Sequence, residues 1–176
     1  MAENCRKGID PTAYIDPSAI IEDDVFVGPG SKVWHQCHLR KGARIGSNCV
    51  LGKGVFVDAG VVIGDRVKIQ NNVSVYHGVT LEDDVFVGPS AVFTNDRFPR
   101  AFEPWNMDRA DTTLVRKGAS ICAGACIRCG IEIGEYAMIG MGAVLTKSTG
   151  AYELWLGNPA RKKGSVDRAG KPIKSV

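Results

Sequence analysis

Residues 45–75 read IGSNCVLGKGVFVDAGVVIGDRVKIQNNVSV, and an apolar residue stands at every sixth position: Ile45, Leu51, Val57, Ile63, Ile69 and Val75. Four residues after each anchor comes a smaller or β-branched one: Cys49, Val55, Val61, Val67, Val73. Outward from this stretch the anchors hold their phase through Ile15, Ile21, Val27, Val33 and Leu39 on one side and Leu81, Val87 and Phe93 on the other. They resume at Val115, Ile121, Ile127, Ile133, Ile139 and Leu145, and the small series adds Ala19, Val25, Ala43, Val79, Val85 and Ala91. A strict period of six is the signature of a parallel β-helix, in which each repeat buries its apolar face only by stacking on its neighbours. Bend-forming residues collect between the anchors, as in Gly28-Pro29-Gly30 and Gly64-Asp65. Three hexads, 18 residues, would close one triangular coil, and the next coil would lie on it at strand spacing, about 4.8 Å. The expectation is a single all-β domain over 1–176, with coils at about 14–93 and 115–149, an insertion at 94–113 and a short tail from 150.

Composition narrows the function classes. Of 176 residues 23% are charged and the net charge is +3, too small to argue for nucleic acid or a membrane surface. No apolar run approaches the ~20 residues of a spanning helix. The opening Met-Ala-Glu-Asn-Cys lacks the basic-then-apolar pattern of a secretory signal, so the six cysteines read as thiols in a reducing, cytoplasmic setting. Cys37 and Cys49 occupy small inward positions, where a thiol packs as a compact hydrophobe. Cys122, Cys126 and Cys129 have no second pair or histidine nearby in sequence, which favours a structural role over zinc. Arg161, Lys162, Lys163, Arg168, Lys171 and Lys174 face only Asp167. Such a segment is either a solvated tail or a seat for a polyanion.

The 18-residue rule selects side chains. His77 and Asn95 are 18 apart, each two residues after its anchor, so they should stack on one corner above Lys41 and Ala59. His35, Lys53 and Asn71 form a second polar corner. The third, with Ser47, Asp65 and Asp83, looks like a plain solvated bend. Phe93 and Val115 are separated by 22 residues, which is not a multiple of six, so the coil must be interrupted. A long insertion inside a compact repeat is usually functional. Phe98, Phe102 and Trp105 are too apolar for a free loop and should pack on a neighbouring subunit or cover a ligand, a base included.

Beyond the hexads, Ile69-Gln70-Asn71-Asn72-Val73-Ser74-Val75-Tyr76, Val92-Phe93-Thr94-Asn95-Asp96 leading into Pro99-Arg100, and Gly157-Asn158-Pro159-Ala160-Arg161 resemble the hexapeptide-repeat acyltransferases. More narrowly, they are similar to bacterial N-acetyltransferases that act on the 3-amino group of nucleotide-linked sugars for surface glycans such as O-antigen. The resemblance covers about 10–163 and departs at Gly164-Ser165, where family members often carry Gly-Trp. It implies a left-handed helix, a homotrimer with active sites between subunits, acetyl-CoA along the helix edge, no metal, and a nucleotide sugar near the loop. The family's sugar-contacting asparagine falls on Asn95. Asp96 directly after it, and His77, resemble the branch acting on dTDP-3-amino-3,6-dideoxyhexoses more than the branch acting on UDP-2-acetamido-3-amino-2,3-dideoxyglucuronate.

Acetyl transfer needs a neutral amine at reacting distance from the thioester and donors aimed at the developing oxyanion. The expectation is that Asn95 orients the amine through its amide oxygen and that His77 is a general base or an orienter. Substrate contacts are expected from His35, Asn71, Tyr76, Asp96, Arg97 and Trp105. Coenzyme contacts are expected from the turns at Gly124, Gly142, Asn158 and Pro159, and from Lys147, Arg161 and Lys162 at the phosphates. Glycine in such turns also has a purely conformational explanation. Two other classes share this fold: a carbonic-anhydrase-like hydratase, which would need converging histidines, and a non-catalytic scaffold. His35, His38 and His77 lack 18-residue spacing with one another. An O-acetyltransferase would demand an effective base at His77.

Overall fold

The computed structural model describes residues 8–173 except Trp105; the amino-terminal pentapeptide, Trp105 and Lys174 lie outside the described residues. Two-residue strands alternate with tight bends, and three parallel sheets form the faces of a prism. The first face stacks Tyr14–Ile15, Lys32–Val33, Val50–Leu51, Lys68–Ile69, Phe86–Val87, Ser120–Ile121 and Met138–Ile139. The second stacks Ile20–Ile21, His38–Leu39, Phe56–Val57, Ser74–Val75, Val92–Phe93, Cys126–Ile127 and Val144–Leu145. The third runs Phe26–Val27, Arg44–Ile45, Val62–Ile63, Val79–Leu81, Thr113–Val115 and Glu132–Ile133. Tyr14 pairs with Lys32, Ser74 with Phe56 and Arg44 with Val62, so the coil is 18 residues.

In each strand the second residue points inward. Leu39, Ile45, Leu51, Ile63, Ile69, Leu81, Ile121, Ile127, Ile133, Ile139 and Leu145 are fully buried, and each contributes roughly 1.5–3 kcal/mol by leaving water. The small series fills the corners from inside: Cys49, Val55, Val67 and Val73 are fully buried. Burial raises the thiol pKa of Cys37, Cys49 and Cys122. Coils pack closely enough that a Cβ on Gly52 would sit 2.9 Å from the Asn71 backbone nitrogen in the coil above. Only glycine leaves that space free.

Two expectations need correction. The third corner is an ordered ladder: Asp65 Oδ1 accepts from the Ser47 N–H (2.7 Å), and Asp83 Oδ1 accepts from the Asp65 N–H (2.8 Å). Arg66 binds Asp84 there, which lowers the Asp84 pKa. The basic tail is not a free segment. Glu153–Leu156 continues the first face, with Trp155 paired to Ile139, and then turns back through the antiparallel strands Arg161–Val166 and Pro172–Ile173. Stacked Tyr136 and Tyr152 rings, with the Arg168 guanidinium 5.3 Å from the Tyr136 centroid, hold that hairpin to the prism. Phe98 and Phe102 stand 72% and 78% exposed on the insertion.

Candidate active site

The interruption lies on the edge between the second and third faces. Val79 pairs with Thr113, 34 residues on, and Val92 pairs with Cys126, so residues between Phe93 and Thr113 stand outside the coil. They carry one short 3-10 turn, Met107–Arg109. Below the interruption this edge presents Lys41, Ala59 and His77 in register. Above His77, both Asn95 on the outgoing chain and Asp111 on the returning chain occupy one level, and the Asp111 N–H donates to the Asn95 carbonyl (3.0 Å). Cys129 and Lys147 follow on later coils of the same edge.

The root of the loop is closed by side chains as well. Arg97 Nε lies 3.2 Å from Asp111 Oδ2, and the buried Cys129 thiol is 3.5 Å from the same oxygen. The Arg97 guanidinium occupies the space that a side chain at Gly130 would fill. Asp96 Oδ1 accepts from the Phe98 N–H (2.8 Å), so Asp96 shapes the first turn of the loop.

His77 is half-buried and its Nδ1 lies 3.0 Å from the Ala59 carbonyl oxygen in the coil beneath. A carbonyl can only accept, so Nδ1 is the donor, and in the neutral ring Nε2 is then the acceptor. The His77 N–H donates to Asp58 Oδ2 (3.2 Å). Asp58 is buried and holds Arg40 (3.0 Å) and the Ala59 N–H (2.8 Å) through its other oxygen. Arg40 in turn lies 3.6 Å from Glu22, whose carboxyl is held below its usual range by the Lys41 N–H and by His38. Sequence reasoning missed Asp58, Arg40 and Asp111. The signal available was weak, since each looks like an ordinary bend residue.

Of the other expected substrate residues, His35 and Asn71 lie apart from this edge. His35 sits between the first and second faces, 3.2 Å from Asp16, beside Trp34. Asn71 is on that edge too, with its amide oxygen taken by the Lys53 N–H (2.9 Å). Trp34, His35, Lys53, Gln70 and Asn71 border a groove of 320 Å³. Tyr76 lies at the start of the His77 bend, its ring 6.0 Å from that of Phe56. His38 binds Glu22 (2.7 Å), so the three histidines have three separate partners. Among the described residues no three His, Cys, Asp or Glu side chains are grouped as a metal would require.

The expected coenzyme residues divide between two edges. Gly124 and Gly142 stand exposed on the edge of His35 and Asn71, with φ of +65° and +63° and open space beyond. Their glycines serve the left-handed bend. The Gly157–Ala160 turn, including the cis Asn158–Pro159 bond, is fastened beside them by two hydrogen bonds to Val144. Arg161 and Lys162 follow on the hairpin, where Lys162 pairs with Glu153 (2.7 Å). Lys147 is exposed on the His77 edge.

Residues 60–95 match the family described as bacterial transferase hexapeptide (six repeats). Residues 18–59, 42–77 and 115–147, together more than half of the chain, match the hexapeptide repeat of succinyl-transferase. The chain belongs to the hexapeptide-repeat transferases. Among curated members of this kind, it is 48% identical over 64 residues to dTDP-3-amino-3,6-dideoxy-alpha-D-galactopyranose 3-N-acetyltransferase of Aneurinibacillus thermoaerophilus, covering 36% of this chain and 33% of that one. The chain thus spans a third or less of the curated relatives it matches. A hexapeptide-repeat acetyltransferase of Vibrio cholerae, solved with acetyl coenzyme A, superposes with TM-score 0.60 at 22% identity, over 71% of each chain. PerB of Caulobacter crescentus, solved with CoA and GDP-perosamine, superposes with TM-score 0.54 at 22% identity, over 87% of this chain and 57% of that one. These two share the hexapeptide-repeat fold.

Proposed function

We propose that this transferase moves the acetyl group of acetyl-CoA to the 3-amino group of a nucleotide-linked deoxyamino sugar, a dTDP-3-amino-3,6-dideoxyhexose, for bacterial surface glycans. Family membership and the stretch shared with the Aneurinibacillus relative support the transfer and the acceptor class. The observation that carries the reading is the single edge on which His77, with a free Nε2, lies one coil below Asn95 at the root of the insertion. The amine nitrogen attacks the thioester carbonyl, the carbon–sulfur bond breaks, and coenzyme A leaves as its thiol. Asn95 holds the amine through its amide oxygen, and Nε2 of His77 takes the proton that the amine loses and passes it to the departing sulfur.

Asp96, Arg97 and Trp105 at the loop, and Tyr76 beside His77, would meet the sugar nucleotide. Lys147, Arg161 and Lys162 would meet the coenzyme phosphates, and the bare turns at Gly124, Gly142, Asn158 and Pro159 its pantetheine arm. Within one prism Tyr76, Asp96, Arg97 and Lys147 lie on the His77 edge, and Gly124, Gly142 and the Gly157–Arg161 turn on another. A site that uses both is completed where copies pack edge to edge, which supports a homotrimer of left-handed prisms with His35 and Asn71 facing the same cleft. It also gives the exposed Phe98 and Phe102 a surface to cover. Free thiols and a thioester donor suit the cytoplasm.

The test is acetyl transfer from acetyl-CoA to dTDP-3-amino-3,6-dideoxygalactose, followed by thiol release and product mass. Acetylated dTDP-sugar is expected, with His77→Ala lowering kcat about 10²–10⁴-fold. Preference for UDP-2-acetamido-3-amino-2,3-dideoxyglucuronate would move the substrate to the UDP branch. Absence of thiol release with either acceptor would overturn the reading.

A further inference from the structure

The corner beneath His77 differs from the other bends in one respect. Several bend N–H groups that find no backbone acceptor are capped by a side chain: Lys41 by Glu22, Lys53 by Asn71, Ser47 by Asp65. Asp58 caps the His77 N–H in the same manner (3.2 Å). Capping alone would make it a stability residue. However, its other oxygen also accepts from the Ala59 N–H (2.8 Å), and it is the Ala59 carbonyl that receives the imidazole (3.0 Å). One buried carboxylate therefore holds the backbone that carries the ring and the N–H of the residue whose carbonyl accepts from it. The accepting Ala59–Gly60 peptide is held by its own N–H to the Lys41 carbonyl (3.1 Å). Arg40 (3.0 Å) prevents that carboxylate from turning away.

We infer that Asp58 is a positioning residue for His77, holding the imidazole as the Nδ1–H tautomer with Nε2 facing the loop edge. The inference rests on His77 being the base of the proposed transfer. Aqueous imidazole populates both tautomers, and only the one with an unprotonated Nε2 can accept the amine's proton on the outward side. Loss of Asp58 would release the Ala59 N–H and the His77 N–H together, leaving the accepting carbonyl held from one side only. The ring would then exchange tautomers and drift from the amine, and a misplacement of about 1 Å costs on the order of 10²-fold in rate.

The experiment records the ¹⁵N resonances of the imidazoles near neutral pH in the full chain, with His77→Gln assigning the signal that disappears. In the native protein Nδ1 should resonate as the protonated nitrogen and Nε2 as the bare one. Asp58→Ala should move both toward the average of the two tautomers. With acetyl-CoA and dTDP-3-amino-3,6-dideoxygalactose it should lower kcat by about 10- to 100-fold with little change in either KM. Asp58→Asn, whose single amide oxygen can accept at only one of the two ends, should fall between the native protein and Asp58→Ala in both tautomer and kcat. If Asp58→Ala does not fold, Asp58→Ser, whose shorter side chain gives up the His77 N–H, takes its place, with the same directions and a smaller size expected. A native spectrum with Nε2 protonated overturns the inference, and so does an Asp58→Ala variant with unchanged tautomer and kcat. Should His77→Gln keep full activity, the base reading of His77 fails separately, because the spectrum reports the clamp without turnover.

Discussion

Replacing Asp111 with alanine removes the side-chain clasp at the root of the insertion and leaves its backbone bond to Asn95. The lost contacts are the Arg97 ion pair at 3.2 Å and the Cys129 thiol contact at 3.5 Å. Arg97 and Asp111 are 39% and 35% exposed, so the pair is worth about 0.2–1 kcal/mol. Divided by RT, this raises the population of the open loop root about 1.5- to 5-fold. The coils on either side lose no apolar contact, so Tm should fall by less than about 4 °C. Hydrogen exchange read amide by amide separates the two levels. Ala110 and Asp111, bonded to Met107 and Asn95, should exchange about 1.5 to 5 times faster, whereas Ile121 and Ile139 in the core should not change. Equal acceleration in loop and core would show that Asp111 supports the whole prism. An unchanged loop would show that the backbone bond alone closes the root, and either result refutes the clasp.

Other outcomes follow from burial and charge. Ile69→Ala empties a fully buried position at mid-prism and should cost about 2–5 kcal/mol in urea unfolding, and a cost under 1 kcal/mol would mean the coils collapse on the space. Thr113 is 1% exposed and its hydroxyl has no partner in the structure. Thr113→Val should therefore stabilise by about 1–3 kcal/mol, and a loss would reveal a bound water or ligand group at that oxygen. Asp16 and Glu22 are held below the usual carboxylate range, Asp16 by Ser18 and Glu22 by the Lys41 N–H, and Asp84 by Arg66. The unfolded chain takes up these protons more readily than the folded one. Stability present above about pH 4 should thus fall away at lower pH, and urea midpoints near pH 7 and about pH 3.5 check the sign.

The faces and the 18-residue coil were legible because every coil repeats one packing problem and solves it with the same residue types. Val27, Ile45 and Ile63 face inward in the order their phase dictates. The placement of His77 under Asn95 followed from the same rule. The phase fails where packing changes. Trp155 lies beside Ile139 at a spacing of 16, so the hairpin that begins there was read as a tail. Asp111 stands in the His77 column only because the insertion lengthens one coil to 34 residues, a spacing that no period announces. Asp58 was hidden for another reason. A carboxylate at a bend is common, and its value lies in which N–H groups of the adjoining coil it meets. Composition also misjudged the third corner, since Asp65 and Asp83 look solvated until their oxygens are seen to cap the coil below.

A crystal structure with coenzyme A and dTDP-3-amino-3,6-dideoxygalactose bound together measures most directly where amine and sulfur meet. The sugar nitrogen is expected within hydrogen-bond reach, about 3 Å, of both His77 Nε2 and the Asn95 amide oxygen, with the coenzyme sulfur on the same edge. A sugar amine seated beyond reach of both His77 Nε2 and Asn95, or a sulfur remote from that amine, would contradict the assignment of this edge as the place of transfer.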